Sequence, residues 1–196
     1  MKTRLSGLGG TSGQSLIEFA MVTPLLVMLA LGVIETGFAL FDQHVVTKLT
    51  REGSNLISRD TSLQDAGAAM QAISSRPVDF STSSRLIFSV IKRVATTGSG
   101  NYDKMILYQR YEVGALAATS AIGMKGGGSF GGGPNYEAVN SDSNTGLQVV
   151  GVPVDLIGVK GGMIYVTEIY TKHQLITPFD KFGVAFPTTL YSIAYF

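Results

Sequence analysis

The chain has no cysteine among its 196 residues. That absence removes disulfides, thiolate metal sites and cysteine nucleophiles at once, and it leaves the compartment open, because an exported domain can be stable without covalent staples. Charge is also scarce. Asp, Glu, Lys and Arg make up 15% of the residues, against roughly 25% in a typical soluble protein. Neither sign dominates, since the formal net charge is +1, so there is no basic field to hold nucleic acid. No P-loop lysine motif and no dinucleotide fingerprint occurs. His44 and His173, the only histidines, stand in no carboxylate pattern with metal-ligand spacing, and both read as solvated or packed side chains. Composition and motifs therefore point away from an enzyme and offer no cofactor or metal site.

What the chain does have is a long apolar run near its N-terminus, and a mean hydropathy of +0.26 fits one membrane segment. A short basic leader with Lys2 and Arg4 precedes Gly13-Gln14-Ser15-Leu16-Ile17-Glu18-Phe19, and the apolar stretch follows directly. Secretory signals are cut after their apolar region. Here the candidate cut, between Gly13 and Gln14, lies before it, as in a type IV prepilin, so the helix would survive processing. Losing Lys2 and Arg4 with the leader would take the formal net charge from +1 to −1. The span from Phe19 to about Phe41 matches the roughly 20 residues that a bilayer crossing needs. The two leader cations place the N-terminus in the cytoplasm and everything beyond Phe41 outside it. Gly37-Phe38-Ala39 offers a loose signal-peptidase alternative, but that apolar region would be too long and would carry Glu18 and Glu35.

Pro24 lacks an N–H and is expected to kink or loosen the helix near its cytoplasmic end. Past the membrane the helix is expected to continue to about Ser58, with Val45, Val46, Leu49, Leu56 and Ile57 mixed among charges as in an amphipathic helix. Gly53 should weaken it locally by about 1 kcal/mol relative to alanine. A second helix is predicted over Leu63–Ser74, opened by Ser62 and Asp65 at capping-box spacing. Strands are predicted over Arg85–Val94, Met105–Val113, Met163–Tyr170 and Leu190–Phe196, with Gly98–Asn101 turning the first hairpin. Leu147–Val154 is at most an edge or irregular strand, because it holds Gly151 and Pro153. Ala115–Ile122 is ambiguous between helix and strand, and the Gly-, Ser- and Asn-rich stretch from Gly123 to Asn144 reads as a long mobile loop. The expected architecture is α+β and pilin-like, a long N-terminal helix packed on a small antiparallel sheet of about four strands. In outline, residues 1–13 form the leader, 14–41 the transmembrane half of the helix, and 42–196 the exported domain.

Two local matches suggest chemistry and fail on context. Gly127-Gly128-Ser129-Phe130-Gly131 has the G-x-S-x-G spelling of a nucleophile elbow, which works only where a strand runs into a helix. Flanking glycines and Pro134 prevent both elements here. Ser141 to Gly146 alternates oxygen-bearing side chains like a calcium loop, but Gly146 and Pro153 occupy ligand positions, so an Asx-rich turn around Asp142 is the better reading.

The segment from Gly13 to Gly53 resembles the TadE-like pseudopilins of the tight-adherence (Tad/Flp) pilus system. It carries Gly13-Gln14-Ser15, Glu18-Phe19-Ala20, Pro24, the Gly32-Val33-Ile34-Glu35-Thr36-Gly37 element and Arg51-Glu52-Gly53. The resemblance implies cutting by a dedicated prepilin peptidase in the bacterial inner membrane. It also implies other pilin and pseudopilin subunits, an inner-membrane assembly platform and the lipid bilayer as partners, and a role as a minor subunit of a fibre for surface attachment. Many relatives carry cysteines in the exported domain, and this chain departs from them there. Independently of the family, cleavage would expose an amine on Gln14 one turn from Glu18. An incoming amine and a neighbour's Glu18 would relieve each other's burial cost, with Phe19 beside them, whereas intramolecular capping of the helix N-terminus is the alternative role for Glu18. Glu35 lies 17 residues further on, roughly 25 Å along the helix. The residues leave it either a partner contact or a solvated interfacial acid. The main alternative for the whole chain is an uncleaved, membrane-anchored binding or sensor domain.

Overall fold

The computed structural model describes residues 11–153, 156–182 and 187–196, so Lys2, Arg4 and the rest of the expected leader up to residue 10 lie outside the described residues. A single helix, α1, runs from Thr11–Ile57, 47 residues, or about 70 Å. Pro24 sits inside it without ending it; nearby, the Thr23 hydroxyl donates to the Phe19 carbonyl at 2.7 Å. A short helix α2, Leu63–Ile73, follows. Its cap is the one the sequence spells: the Asp65 N–H donates to Ser62 Oγ at 3.1 Å, and the Ser62 hydroxyl donates to Asp65 Oδ2 at 2.6 Å. Such a cap is worth about 1 kcal/mol.

Strands β1 (Ser84–Arg93), β2 (Met105–Val113), β3 (Gly123–Met124), β4 (Val149–Val150), β5 (Met163–Lys172) and β6 (Thr189–Tyr195) complete the fold. Four form an antiparallel sheet in the order β2-β1-β5-β6, and β3 with β4 forms a two-stranded ribbon. Isoleucine, valine and aromatic residues suit this pleated, half-buried surface, and period-two alternation divides it into two faces. One face packs Leu86, Phe88, Val90 and Ile169 against Val46, Leu49 and Ile57 of α1 and against Leu63, Ala66 and Met70 of α2. The other packs Ile91 and Val166 against Leu107, Ile122 and Ile157. Each fully buried aliphatic side chain contributes about 1.5–3 kcal/mol, so the two faces together carry the stability of the domain. β2 holds one extra residue, Tyr108, between the partners of Val90 and Ile91, a bulge of the kind that increases local twist.

Both edges of the sheet are covered, which removes the aggregation hazard of an open edge. Along β6 the cover is α1: Gln43 Nε2 donates to the Tyr191 carbonyl at 3.0 Å and the Ser54 hydroxyl to the Ala194 carbonyl at 2.9 Å. Along β2 the cover is the glycine-rich stretch. Gln109 bridges Glu137, Ile106 bridges Gln148 and Phe130 bridges Ala138. The Ala138 N–H donates to the Tyr108 carbonyl at 2.7 Å. Phe130 packs against the buried Ala138 and Leu147, and Tyr136 stacks on Tyr111 with ring centroids 4.8 Å apart. The expectation of an unanchored loop over Gly123–Asn144 is therefore corrected. Its backbone polar groups are used by a strand edge that the local composition does not reveal. Ala115–Ile122 is neither helix nor strand. Its polar groups turn instead to a buried acid, with the Ala121 N–H donating to Glu168 Oε1 at 2.8 Å and the Ser120 hydroxyl donating to Glu168 Oε2.

Candidate functional site

The N-terminal half of α1 makes almost no contact with the rest of the chain. Leu16, Ile17, Phe19, Met21, Leu25, Leu26 and Leu29 are all exposed, and the most apolar 18-residue window of this helix has none of its residues buried. In water such a surface would cost roughly 25 cal/mol per Å² of apolar area, so the helix is built for a membrane or for other helices. Gly13 lies on it with open space where a Cβ would point and without a left-handed backbone. Nothing in the fold therefore requires glycine there, although glycine costs a helix about 1 kcal/mol relative to alanine. One turn on, the Gln14 side-chain amide donates to Glu18 Oε1 at 3.0 Å. That contact is exposed and of the i,i+4 kind, worth a few tenths of a kcal/mol. Phe19 is 68% exposed.

Glu35 is differently placed. It is completely buried beneath the strap that follows β5. Its carboxylate accepts from the Thr177 N–H at 2.8 Å, the Thr177 hydroxyl at 2.5 Å and the Ile176 N–H at 3.2 Å, and it faces His173 Nε2 at 3.2 Å. His173 Nδ1 lies 2.7 Å from Asp42 Oδ2 on the same helix. A buried carboxylate is costly unless its oxygens are hydrogen-bonded, and here the strap supplies the donors. Glu35, expected as either a partner contact or a solvated interfacial acid, is thus enclosed and engaged within its own chain. His173 is packed, as one of its two readings held, but as the link between two helix acids. α1 consequently meets the rest of the chain from Gly32 onward, where a Cβ would lie 3.9 Å from the Phe179 ring, earlier than the expected boundary at Asp42.

The remaining candidates serve the fold. Ser129 lies in the irregular edge cover, where its carbonyl accepts from the Val139 N–H at 2.9 Å; no strand leads into it and no helix starts from it to make an elbow. Asp142 Oδ2 accepts from the Thr96 hydroxyl at 2.7 Å. The turn around it is held by Asn101, whose amide donates to the Ser141 and Asn144 carbonyls, each at 2.8 Å. His44 is exposed on α1. Among the described residues no group of three or more His, Cys, Asp or Glu is placed to hold a metal ion. Sequence reasoning missed Glu168, a buried acid in β5 that also accepts from the Tyr191 hydroxyl at 3.1 Å and the Tyr170 hydroxyl at 3.3 Å. Its only signal was a glutamate inside an otherwise apolar and aromatic strand.

Comparison with known proteins adds one match. Residues 13–55 fit the family described as TadE-like protein, which covers the helix from the candidate cleavage glycine to just past Gly53. No curated protein and no solved structure matches the chain.

Proposed function

We propose that this TadE-like chain is a minor pilin or pseudopilin of a Tad/Flp-type pilus. In this reading a prepilin peptidase cuts it after Gly13, and an inner-membrane platform assembles it with other pilin subunits into, or as the primer of, a fibre for surface attachment. The family match over residues 13–55 supports an association with that pilus system, and a structural role is part of this reading. The exposed apolar helix near the N-terminus supports a membrane anchor; the cytoplasmic N-terminus and exported domain follow from Lys2 and Arg4. The observation that carries the reading is a glycine at position 13 that the fold itself does not need. A peptidase that must approach the backbone closely would need it. Glu18 sits one turn from the amine that cleavage would create. In the assembled fibre it pairs with the amine of a neighbour, relieving the burial cost of both charges.

N-terminal sequencing of the protein taken from membranes and from fibres tests this. The mature chain is expected to begin at Gln14, and Gly13→Ala to lose processing. Glu18→Ala should be inserted and cut normally yet be missing from fibres. A chain still beginning at Met1 in assembled fibres would sink the reading and favour an uncleaved, membrane-anchored binding domain.

A further inference from the structure

A cleft of about 520 Å³ opens where the exposed part of α1 meets the turn before β1 and the end of β5. Two kinds of chemistry line it. Phe38, Phe41 and Ile176 are exposed at 47%, 62% and 58%, an apolar rim continuous with the bare helix below. Arg76 and Lys172 face the same cleft, and both are exposed. Neither side chain has a hydrogen bond, ion pair or ring contact with any described residue. The two carboxylates that line the cleft form no ion pair with either cation: Asp42 contacts His173 at 2.7 Å, and Asp79 accepts from the Ser81 and Thr82 hydroxyls at 2.5 and 2.8 Å. The cleft thus presents, above an apolar lip, two cations that no described side chain pairs.

Its height on the helix says what meets it. A span that starts at Gln14 fills the roughly 30 Å of a bilayer's hydrocarbon core by Gly32–Glu35, and Phe38 and Phe41 lie 24 and 27 residues beyond Gln14, about 36 and 40 Å along α1. The cleft therefore opens at the level of the outer headgroups, an argument that rests on the membrane reading above. We infer that it is a phospholipid site: Arg76 and Lys172 hold the phosphate of an outer-leaflet glycerophospholipid, whose acyl chains run down over Phe38, Phe41 and Ile176. Charge-assisted contacts to phosphate are among the stronger polar interactions, and basic pockets beside membrane helices suit lipid head groups. The bound lipid would fix the height and tilt of the subunit in the membrane before assembly.

The test uses the full chain, purified in detergent, stripped of lipid and titrated with dioleoylphosphatidylglycerol under native mass spectrometry. Dioleoylglycerol and inorganic phosphate serve as parallel probes, the first lacking the phosphate and the second the acyl chains. One phospholipid per chain is expected, with retention falling about tenfold in Arg76→Ala/Lys172→Ala. Dioleoylglycerol should be held poorly, and inorganic phosphate should not compete at equal concentration. Phe41→Ser provides a second variant that weakens the apolar lip without touching the cations, and it should also lose lipid. Unchanged retention in both variants overturns the proposal. Equal competition by inorganic phosphate overturns it in favour of a free-anion site, and a photo-crosslink from position 41 into a second copy of this chain overturns it in favour of a subunit contact. Vesicle flotation separates the two levels. If the chain integrates but retention is indifferent to the variants, only the cleft assignment fails; if it does not integrate, the membrane reading fails and takes the cleft with it.

Discussion

Gly13 and Gly53 lie on the same helix and answer to different constraints. A methyl group at position 13 would meet nothing, whereas at position 53 it would come within 2.8 Å of Thr167 Cγ2 and 3.1 Å of Phe88 Cε1. Gly53 thus lets α1 settle close to the sheet, and the family match ends two residues beyond it. From sequence it read only as a weak point of the helix, because the residues that crowd it come from β1 and β5. Gly53→Ala gains about 1 kcal/mol of helix propensity but overpacks a filled interface at a cost of about 1–3 kcal/mol. Net destabilisation is expected in denaturant unfolding of the purified chain, and an equal or higher midpoint would show that the interface has room to give. Glu35 teaches the same lesson. The Gly-x-x-Glu-x-Gly element was legible as a motif. Its chemistry was not, because the donors to its carboxylate stand at His173, Ile176 and Thr177, far away in the chain, and no local pattern announces them.

Helices and strands were legible where they depend on local rules. α2 was readable from Ser62 and Asp65, and the four long strands from β-branched and aromatic runs bounded by turn residues. The stretch Gly123–Asn144 was not, because its order comes from the edge of β2 and its own composition argues for a mobile loop. Limited proteolysis is accordingly expected to spare it and to cut first elsewhere, for instance in the exposed stretch 95–98 of the β1–β2 connection; first cuts between Gly123 and Asn144 would contradict this packing. The β5–β6 pair carries a second consequence. Burial, and then the Glu168 carboxylate, push the Tyr191, Tyr170 and Tyr195 phenols above their usual range. A folded-state value above the unfolded one, near 10, means stability that is fully present below pH 10 and lost as pH rises through the folded values. In the native chain these tyrosines should ionise later than exposed ones and together with unfolding, read by absorbance at 295 nm. Ionisation of all eight tyrosines near pH 10 without loss of structure would count against this account of the sheet.

Across the whole molecule, α1 belongs to two environments, and the boundary lies at Gly32–Glu35. Above it the helix shares a core with the sheet; below it the apolar surface is bare. Nothing below that point is buried against the described domain, so removing it should leave the stability of the domain unchanged. Cutting further, to remove Glu35 and Asp42, strips His173 of both acids and leaves the Ile176 and Thr177 N–H groups without their acceptor. Each unmet buried donor costs about 1–3 kcal/mol, and the strap from residue 174 to 182 is the element that would come loose. A chain beginning at Gly32 is therefore expected to unfold at the same midpoint as the full chain in detergent. One beginning at Gln43 should be less stable by about 2–5 kcal/mol, with amide exchange in the strap accelerated first. Circular dichroism melts and hydrogen exchange of the two truncations decide the matter. Equal midpoints and equal strap protection would mean that the Glu35–His173–Asp42 contacts add nothing to the fold, and the burial of an acid on this helix would then need a reason outside its own chain.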